Sequence, residues 1–114
     1  MKDAQTQFIQ GTFDLLILRT LIYGPAHGHA IAKHIQSSSE TLRIETGSLY
    51  PALHRLEAQG LVRPAWRLSD KGKRAKYYQL TAAGKRHLTA EHSRWEQFVL
   101  AMSRVLLPSN DWAG

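Results

Sequence analysis

Apolar side chains recur at helical spacing in the first part of the chain. The run FDLLILRTLIYG (13–24) is apolar over most of its circumference, which predicts a buried helix that ends at Gly24. Thr12 is the expected N-cap of this helix, and the mostly polar residues before it are expected to form a short arm or helical turn. A second helix is expected over about 28–38.

The third predicted helix, over about 46–59, separates its apolar side chains from its polar ones. At about 100° per residue, one narrow arc holds the side chains expected to face the core: Leu49, Ala52, Leu53 and Leu56. Tyr50, His54 and Arg55 spread over the opposite side. The sequence therefore predicts a helix that packs with one face and presents an aromatic hydroxyl, an imidazole and a guanidinium with the other.

The ends of this third helix carry recognisable signals. Thr46 or Ser48 is expected to cap its start, and Pro51 then lies in the first turn, where few amides have helical partners to lose. Gly60 is a suitable residue for the left-handed conformation that ends many helices.

A hairpin is expected after this helix because the hydrophobic period changes to two. Strands are predicted over 61–67 and 76–80, joined by a turn of composition SDKGK (69–73). Pro64 lacks an amide proton, so it predicts that the first strand is an edge or pairs on one side only. Three helices followed by a hairpin is the order of a winged helix-turn-helix.

A long helix is expected to close the chain, capped by Thr81 and ended by Pro108 after about Leu107. Large apolar side chains recur along it with heptad spacing: Leu88, Trp95, Phe98, Val99, Met102, Val105 and Leu106. Glu91 and His92 interrupt this seam. A helix with so many large side chains at the end of a small domain requires a partner surface.

The charge is concentrated in one segment. The 114 residues, 43% of them hydrophobic, fit one globular domain, and the formal net charge is +6 with an isoelectric point near 10.0. Residues 63–76 contain six Lys and Arg side chains and one carboxylate, Asp70. The basic hairpin beside a polar helix therefore favours a polyanionic partner.

Several classes of protein are disfavoured by the sequence. The chain has no cysteine, and no apolar run approaches the ~20 residues needed to span a bilayer, so a cytoplasmic protein is expected. The spacing of His27, His29 and His34 does not place three imidazoles on one helix face, so no metal site is expected. No nucleotide-binding loop or nucleophile motif is present, so neither a cofactor nor an enzymatic activity is expected.

The chain resembles the PadR family of bacterial transcriptional regulators. The resemblance is carried mainly by TGSLYPALHRLEAQGLV (46–62), with support from HGHAIA (27–32) and YYQLTAAGKRHL (77–88). It implies a homodimer of winged helix-turn-helix domains that binds operator DNA, usually as a repressor. It also implies that the long C-terminal helix dimerises.

The expected fold is mainly α with a small β component (α+β). It is a winged helix-turn-helix with a two-stranded wing and a long C-terminal dimerisation helix. The expected divisions are a DNA-binding domain with its N-terminal arm at 1–81, the dimerisation helix at 82–107 and a tail at 108–114.

The residues expected to contact double-stranded DNA lie on the third helix and the hairpin: Thr46, Ser48, Tyr50, Pro51, His54, Arg55, Lys71, Lys73, Arg74 and Lys76. Among the helix residues only Arg55 suits bidentate contact with guanine, so Arg55→Ala is expected to weaken DNA binding and spare thermal stability. The competing interpretation is a solvated helix face and a solubilising turn. The ring of Tyr50 could equally pack beneath the wing.

The heptad residues named above, from Leu88 to Leu106, are the expected dimer interface. Some members of the family sense aromatic compounds near this helix, so Trp95 is the candidate contact for a planar aromatic effector, with a purely interhelical role as the alternative.

Two other functions fit the same features. A basic RNA-binding module would also have this charge and a winged helix. A protein-interaction adaptor would use the C-terminal helix alone.

Overall fold

The computed structural model of the protein describes residues 4–38 and 46–107, and the side chains within 11–38 and 47–107. In chain order the elements are α1 (Ala4–Thr20) followed by a 3-10 turn (Leu21–Tyr23), β1 (Ala26–His27), α2 (Gly28–Ser38), α3 (Thr46–Ala58), β2 (Val62–Leu68), β3 (Arg74–Leu80) and α4 (Ala82–Leu106). The expected tail at 108–114, with Pro108, lies outside the described residues. So does the side chain of Thr46.

The first helix begins earlier than the pattern predicted. Thr12 lies inside α1, so its assignment as N-cap is wrong, and the segment from Ala4 onward is helix rather than an arm. This stretch lacks an apolar period, but it contains three glutamines and one alanine, which have favourable helix propensity. Gly24, with φ of 131°, ends the 3-10 turn that follows α1.

The core lies where α1, α2 and α3 meet the sheet. Six large side chains in it are almost completely buried: Ile17, Leu18, Ile31, Leu49, Leu53 and Leu56. The inward arc expected for the third helix is confirmed, since Ala52 is also fully buried. Burying each large side chain contributes roughly 1.5–3 kcal/mol, so this arc fixes α3 in the domain.

The sheet has three antiparallel strands in the order β1-β3-β2, one more than expected. The extra strand, β1, pairs Ala26 with Tyr78 and His27 with Tyr77, and two residues are too few to show an alternating pattern. Among the described strands β2 pairs only with β3, as Pro64 predicted. The hairpin thus forms the wing of a winged helix-turn-helix, and the expected fold class is confirmed.

The last helix begins at a tight junction with the sheet. Thr81 caps it as predicted: its Oγ1 accepts a hydrogen bond from the Gly84 amide at 2.9 Å and donates one to the Gly60 carbonyl at 2.7 Å. Leu88 is buried within the protomer, at 4% exposure. Its assignment to an exposed dimer seam is therefore wrong, since it packs in the core of its own domain.

Candidate nucleic-acid interface

The outermost ridge of α3 is made of small side chains and one histidine. At about 100° per residue, the side of the helix opposite the buried leucines consists of Gly47, Pro51, His54 and Ala58. All four residues are exposed. Ser48, in the first turn of the helix, is exposed too. His54 is therefore the polar side chain that points most directly away from the domain.

Tyr50 flanks this ridge on the side of the sheet. Its ring lies against Gly28 at the start of α2, where an added Cβ would come within 2.9 Å of Cε1 and the hydroxyl oxygen. The side chain nevertheless keeps 41% of its surface exposed. The absence of a side chain at Gly28 thus allows the ring of Tyr50 to pack against α2 while the residue stays partly exposed.

Arg55 flanks the ridge on the opposite side, where α1 crosses. Its Nη2 donates a hydrogen bond to Asp14 Oδ1 at 2.6 Å, and the two side chains are 32% and 19% exposed. Arg55 is therefore engaged by a carboxylate from α1 that the local pattern of α3 does not reveal. Its role in DNA binding stays a prediction.

The register of the wing divides its side chains between two faces. Trp66 is opposite Lys76 and Leu68 is opposite Arg74, so these four share the face that also carries the buried Tyr78. The neighbouring pair, Arg67 and Ala75, lies on the other face.

The cations of the wing are therefore not one cluster. The guanidinium of Arg67 lies over the ring of Tyr77, 4.2 Å from its centroid, on the face turned away from α3. The guanidinium of Arg74 lies 5.1 Å from the centroid of Trp66 on the face turned toward it. Arg74 and Lys76, but not Arg67, are thus positioned beside the outward face of α3.

Lys76 is partly occupied by an ion pair within the protein. Its Nζ lies 3.2 Å from Oε1 of Glu57 on α3 and 5.3 Å from the ring centroid of Tyr78. Burial lowers the pKa of Lys76, but its contacts with Glu57 and Tyr78 outweigh that effect and raise its pKa above the ordinary 10.5. Lys76 stays cationic, but Glu57 already offsets much of its charge.

The tip of the wing is a tight turn that exposes its lysines. The Ser69 amide donates to the Lys73 carbonyl at 2.7 Å, and the Gly72 amide donates to the Ser69 carbonyl at 2.9 Å. Gly72 has φ of 76°, a conformation that favours glycine. Lys71 and Lys73 are both exposed, as a contact with a phosphate backbone requires.

An open groove of about 620 Å³ separates the wing from α3 and the start of α2. Tyr50 and His54 line one side, and Trp66, Lys71, Arg74 and Lys76 line the other. Trp66 is 57% exposed. The sequence did not identify Trp66 as a site residue, because the alternation of a strand does not show which of its faces meets α3.

His27 has a structural role at the start of α2. Its Nδ1 accepts a hydrogen bond from the Ala30 amide at 3.1 Å, and its ring meets the ring of Tyr77 edge-on with centroids 5.3 Å apart. Within the described part of the chain, no three His, Asp or Glu side chains are grouped to hold a metal ion.

The outer part of α4 leaves a row of large apolar side chains exposed. Trp95, Phe98 and Met102 are 41%, 46% and 43% exposed, and Val105 reaches 82%. The remaining predicted interface residues, Val99 and Leu106, are exposed as well. Trp95 and Phe98 also line a shallow groove of about 350 Å³ against α1.

A family model matches the part of the chain that contains α3, the wing and the start of α4. The model of the "Transcriptional regulator PadR-like family" matches residues 17–90, from the buried part of α1 into α4. The chain belongs to this family. The resemblance predicted from the motif around α3 is thereby confirmed, and the PadR-like protein is a member of a family of transcriptional regulators rather than of enzymes.

The relatives of the PadR-like protein include a named transcriptional regulator. It is 33% identical over 91 residues to the transcriptional regulator Rv3488 of Mycobacterium tuberculosis, covering 80% of this chain and 82% of that protein. It is 47% identical over 77 residues to an uncharacterized 37.1 kDa protein in transposon TN4556 of Streptomyces fradiae. This second match covers 68% of the chain but only 21% of that longer protein.

Solved structures match over almost the whole fold. The structure of a transcriptional regulator from Clostridium thermocellum superposes with a TM-score of 0.78 at 29% identity, covering 88% of this chain and 98% of that one.

None of the helices in the described residues of the PadR-like protein is long and apolar enough to cross a membrane.

Proposed function

We propose that this PadR-like protein is a homodimeric repressor that binds a pseudo-palindromic operator in double-stranded DNA. The observation that carries the proposal is the shared orientation of two surfaces. The exposed ridge of α3 around His54 and the cation-lined face of the wing border the same groove. A helix enters the major groove while the lysines of the wing tip contact the phosphate backbone.

The homodimer is supported by the exposed apolar face of α4. The side chains from Trp95 to Leu106 would lose this exposure against a second copy of the helix, and two linked domains then read two half-sites about one helical turn apart. Because its target is DNA, the proposal places the protein in the cytoplasm. The residues of α3 that contact the DNA are Tyr50, Pro51 and His54, together with Thr46 and Ser48 at the start of the helix.

A planar aromatic effector releases the repressor from its operator. Trp95 and Phe98 face the open groove beside α1, so a flat apolar molecule between two protomers would contact the indole. Titration of the protein with planar aromatic compounds, followed by tryptophan fluorescence, tests this role. No quenching at any soluble concentration would remove it.

The main test measures the affinity of the purified protein for the DNA adjoining its own gene. At matched ionic strength this duplex is expected to bind more tightly than a random duplex or a structured RNA. If the dimer neutralises ~6–8 phosphates, log affinity should fall against log salt with a slope of roughly −5 to −7.

Charge-matched variants sharpen this test. Lys71→Ala and Lys73→Ala are each expected to weaken binding and to reduce the slope by about 1 for each phosphate that is no longer neutralised. Lys85→Ala removes the same charge from an exposed position on α4 and should change binding little. Preference for RNA would favour the RNA-binding module, and no binding to any nucleic acid at low salt would favour the protein-interaction adaptor.

A further inference from the structure

Trp66 is a large aromatic side chain exposed on a face lined with cations. It is 57% exposed in the middle of β2, and neighbouring Leu68 on the same face is 71% exposed. The wing does not need these side chains for its own core, which is supplied by Val62 and Leu80 at the other end of the hairpin. Large apolar area at such a position is typical of a binding surface.

The groove around Trp66 has the charge of a site for a polyanion. Lys71, Arg74 and Lys76 line it together with Asp70, and Glu57 of α3 pairs with Lys76. The guanidinium of the exposed Arg74 lies over the indole ring and so beside the apolar surface. The groove therefore contains cationic groups next to one broad apolar surface, the indole of Trp66.

The sugar–phosphate backbone of DNA has a matching arrangement. Each phosphate is anionic, and each deoxyribose between two phosphates presents an apolar C–H surface. We propose that one strand of the bound DNA passes along this groove, with the indole of Trp66 packed on a deoxyribose and Arg74 on a neighbouring phosphate. This inference rests on the proposed function and identifies the backbone, rather than a base, as the partner of Trp66.

The salt dependence of DNA binding distinguishes the contact of Trp66 with a sugar from an ionic contact with a phosphate. Packing an indole on a sugar neutralises no phosphate and releases no counterion, so its contribution does not depend on salt. The deoxyribose is the same at every step of the chain, so the contribution does not depend on sequence either. Arg74, by contrast, contributes a charge and therefore a part of the salt dependence.

The experiment compares Trp66→Ala, Trp66→Phe and Arg74→Ala by binding to a random duplex of about 30 base pairs across a salt series. Trp66→Ala is expected to weaken binding about tenfold at every salt concentration, with the slope of the wild type. Trp66→Phe should retain most of the affinity. Arg74→Ala should reduce the slope by about 1 for each phosphate that the arginine neutralises in the wild type.

Controls separate the possible failures. Tyr23→Ala removes another exposed ring, one outside the groove, and should bind like the wild type. If the wild type does not bind duplex DNA at low salt, the proposed function itself fails. If the wild type binds and folded Trp66→Ala binds equally well, the inference about Trp66 alone is overturned. A reduced slope in Trp66→Ala also overturns it, since Trp66 would then act only by holding Arg74.

A second measurement does not depend on the alanine variant being folded. The chain has three tryptophans, so Trp95→Phe combined with Trp112→Phe leaves Trp66 as the only indole. Addition of duplex DNA is expected to quench and shift its emission. Unchanged emission with DNA bound, as shown by anisotropy of a labelled duplex, would contradict the contact.

Discussion

Arg55 of α3 and Asp14 of α1 are 41 residues apart in the chain, yet their Nη2 and Oδ1 atoms are separated by 2.6 Å. This ion pair connects the helix proposed to read DNA to the helix that packs against α4. It also places a guanidinium at the edge of the reading face, where Asp14 and a base would compete for it.

Removing this pair should lower stability. Arg55→Ala is expected to lower the free energy of unfolding by about 1 kcal/mol, because the pair is charge-assisted but only partly buried. The sequence alone favours unchanged stability for this variant. Chemical denaturation of Arg55→Ala, Asp14→Asn and the double variant measures the coupling between the two residues. Additive losses of stability would show that the pair contributes no coupling energy.

The buried and exposed faces of α3 should respond differently to truncation. Leu53 is fully buried, so Leu53→Ala is expected to lower the free energy of unfolding by ~2–5 kcal/mol. His54→Ala, one residue further, should leave the melting temperature nearly unchanged and weaken operator binding. Thermal unfolding and DNA affinity are measured on the same preparations, and equal destabilisation of both variants would contradict the face assignment.

Stability should fall at alkaline pH through Lys76 and Tyr78. Burial raises the pKa of Tyr78 above its ordinary 10.0, and the contacts of Lys76 with Glu57 and Tyr78 raise the pKa of Lys76 overall, although burial opposes this. A pKa raised in the folded state means that stabilisation is complete below the unfolded pKa and disappears as pH rises through the folded one. Unfolding free energy should therefore decrease from about pH 10 upward.

The variant Tyr78→Phe checks this pH dependence. It removes one of the two titrating groups, so its alkaline loss of stability should be smaller than that of the wild type. Urea denaturation at a series of pH values gives the comparison. A wild type whose stability does not change above pH 10 would refute the prediction.

Gly84 should be intolerant of alanine although it lies in a helix. An added Cβ would clash with the Leu61 carbonyl oxygen, which belongs to the backbone and has little room to move. Gly84→Ala is expected to destabilise the domain by roughly 1–3 kcal/mol or more.

Gly11 in α1 provides the matched control. Apart from the adjacent backbone of its own helix, no atom of the described side chains and backbone lies within 4 Å of the Cβ that would be added there, so Gly11→Ala should stabilise by roughly 0.5–1 kcal/mol through helix propensity. Thermal unfolding should show a lower melting temperature for Gly84→Ala and a higher one for Gly11→Ala than for the wild type. A change in the same direction for both variants would show that the close approach of α4 to Leu61 does not constrain the fold.

Substitutions at Leu88 and at Val105 should have different effects, the first on folding of the protomer and the second on dimerisation. Leu88 is buried within the protomer and Val105 is 82% exposed. Leu88→Ala is expected to lower the unfolding free energy by ~2–5 kcal/mol. Val105→Glu should retain the fold of the protomer but weaken the proposed dimer, since it places a charge in an apolar interface. Sedimentation velocity over a range of concentrations distinguishes the two effects, and an unaltered dimer in Val105→Glu would exclude this part of α4 from the interface.

The sequence by itself determined the order of the four helices and the hairpin, the inward arc of α3 and the cap at Thr81. These features depend on interactions between near neighbours, so periodicity and capping preferences reveal them. The motif around α3 was also enough to indicate the family. The start of α1 was missed because its first turns are helical through propensity, without an apolar period.

The tertiary structure decided what flanks each of these elements. Local periodicity shows which face of α3 is apolar, but only the crossing of α1 brings Asp14 to Arg55. Strand alternation shows that Trp66 and Arg67 lie on opposite faces, but only the packing of the sheet shows which face meets α3. Leu88 fitted a heptad by spacing and proved to be core, because burial depends on residues far away in the chain and spacing does not encode them.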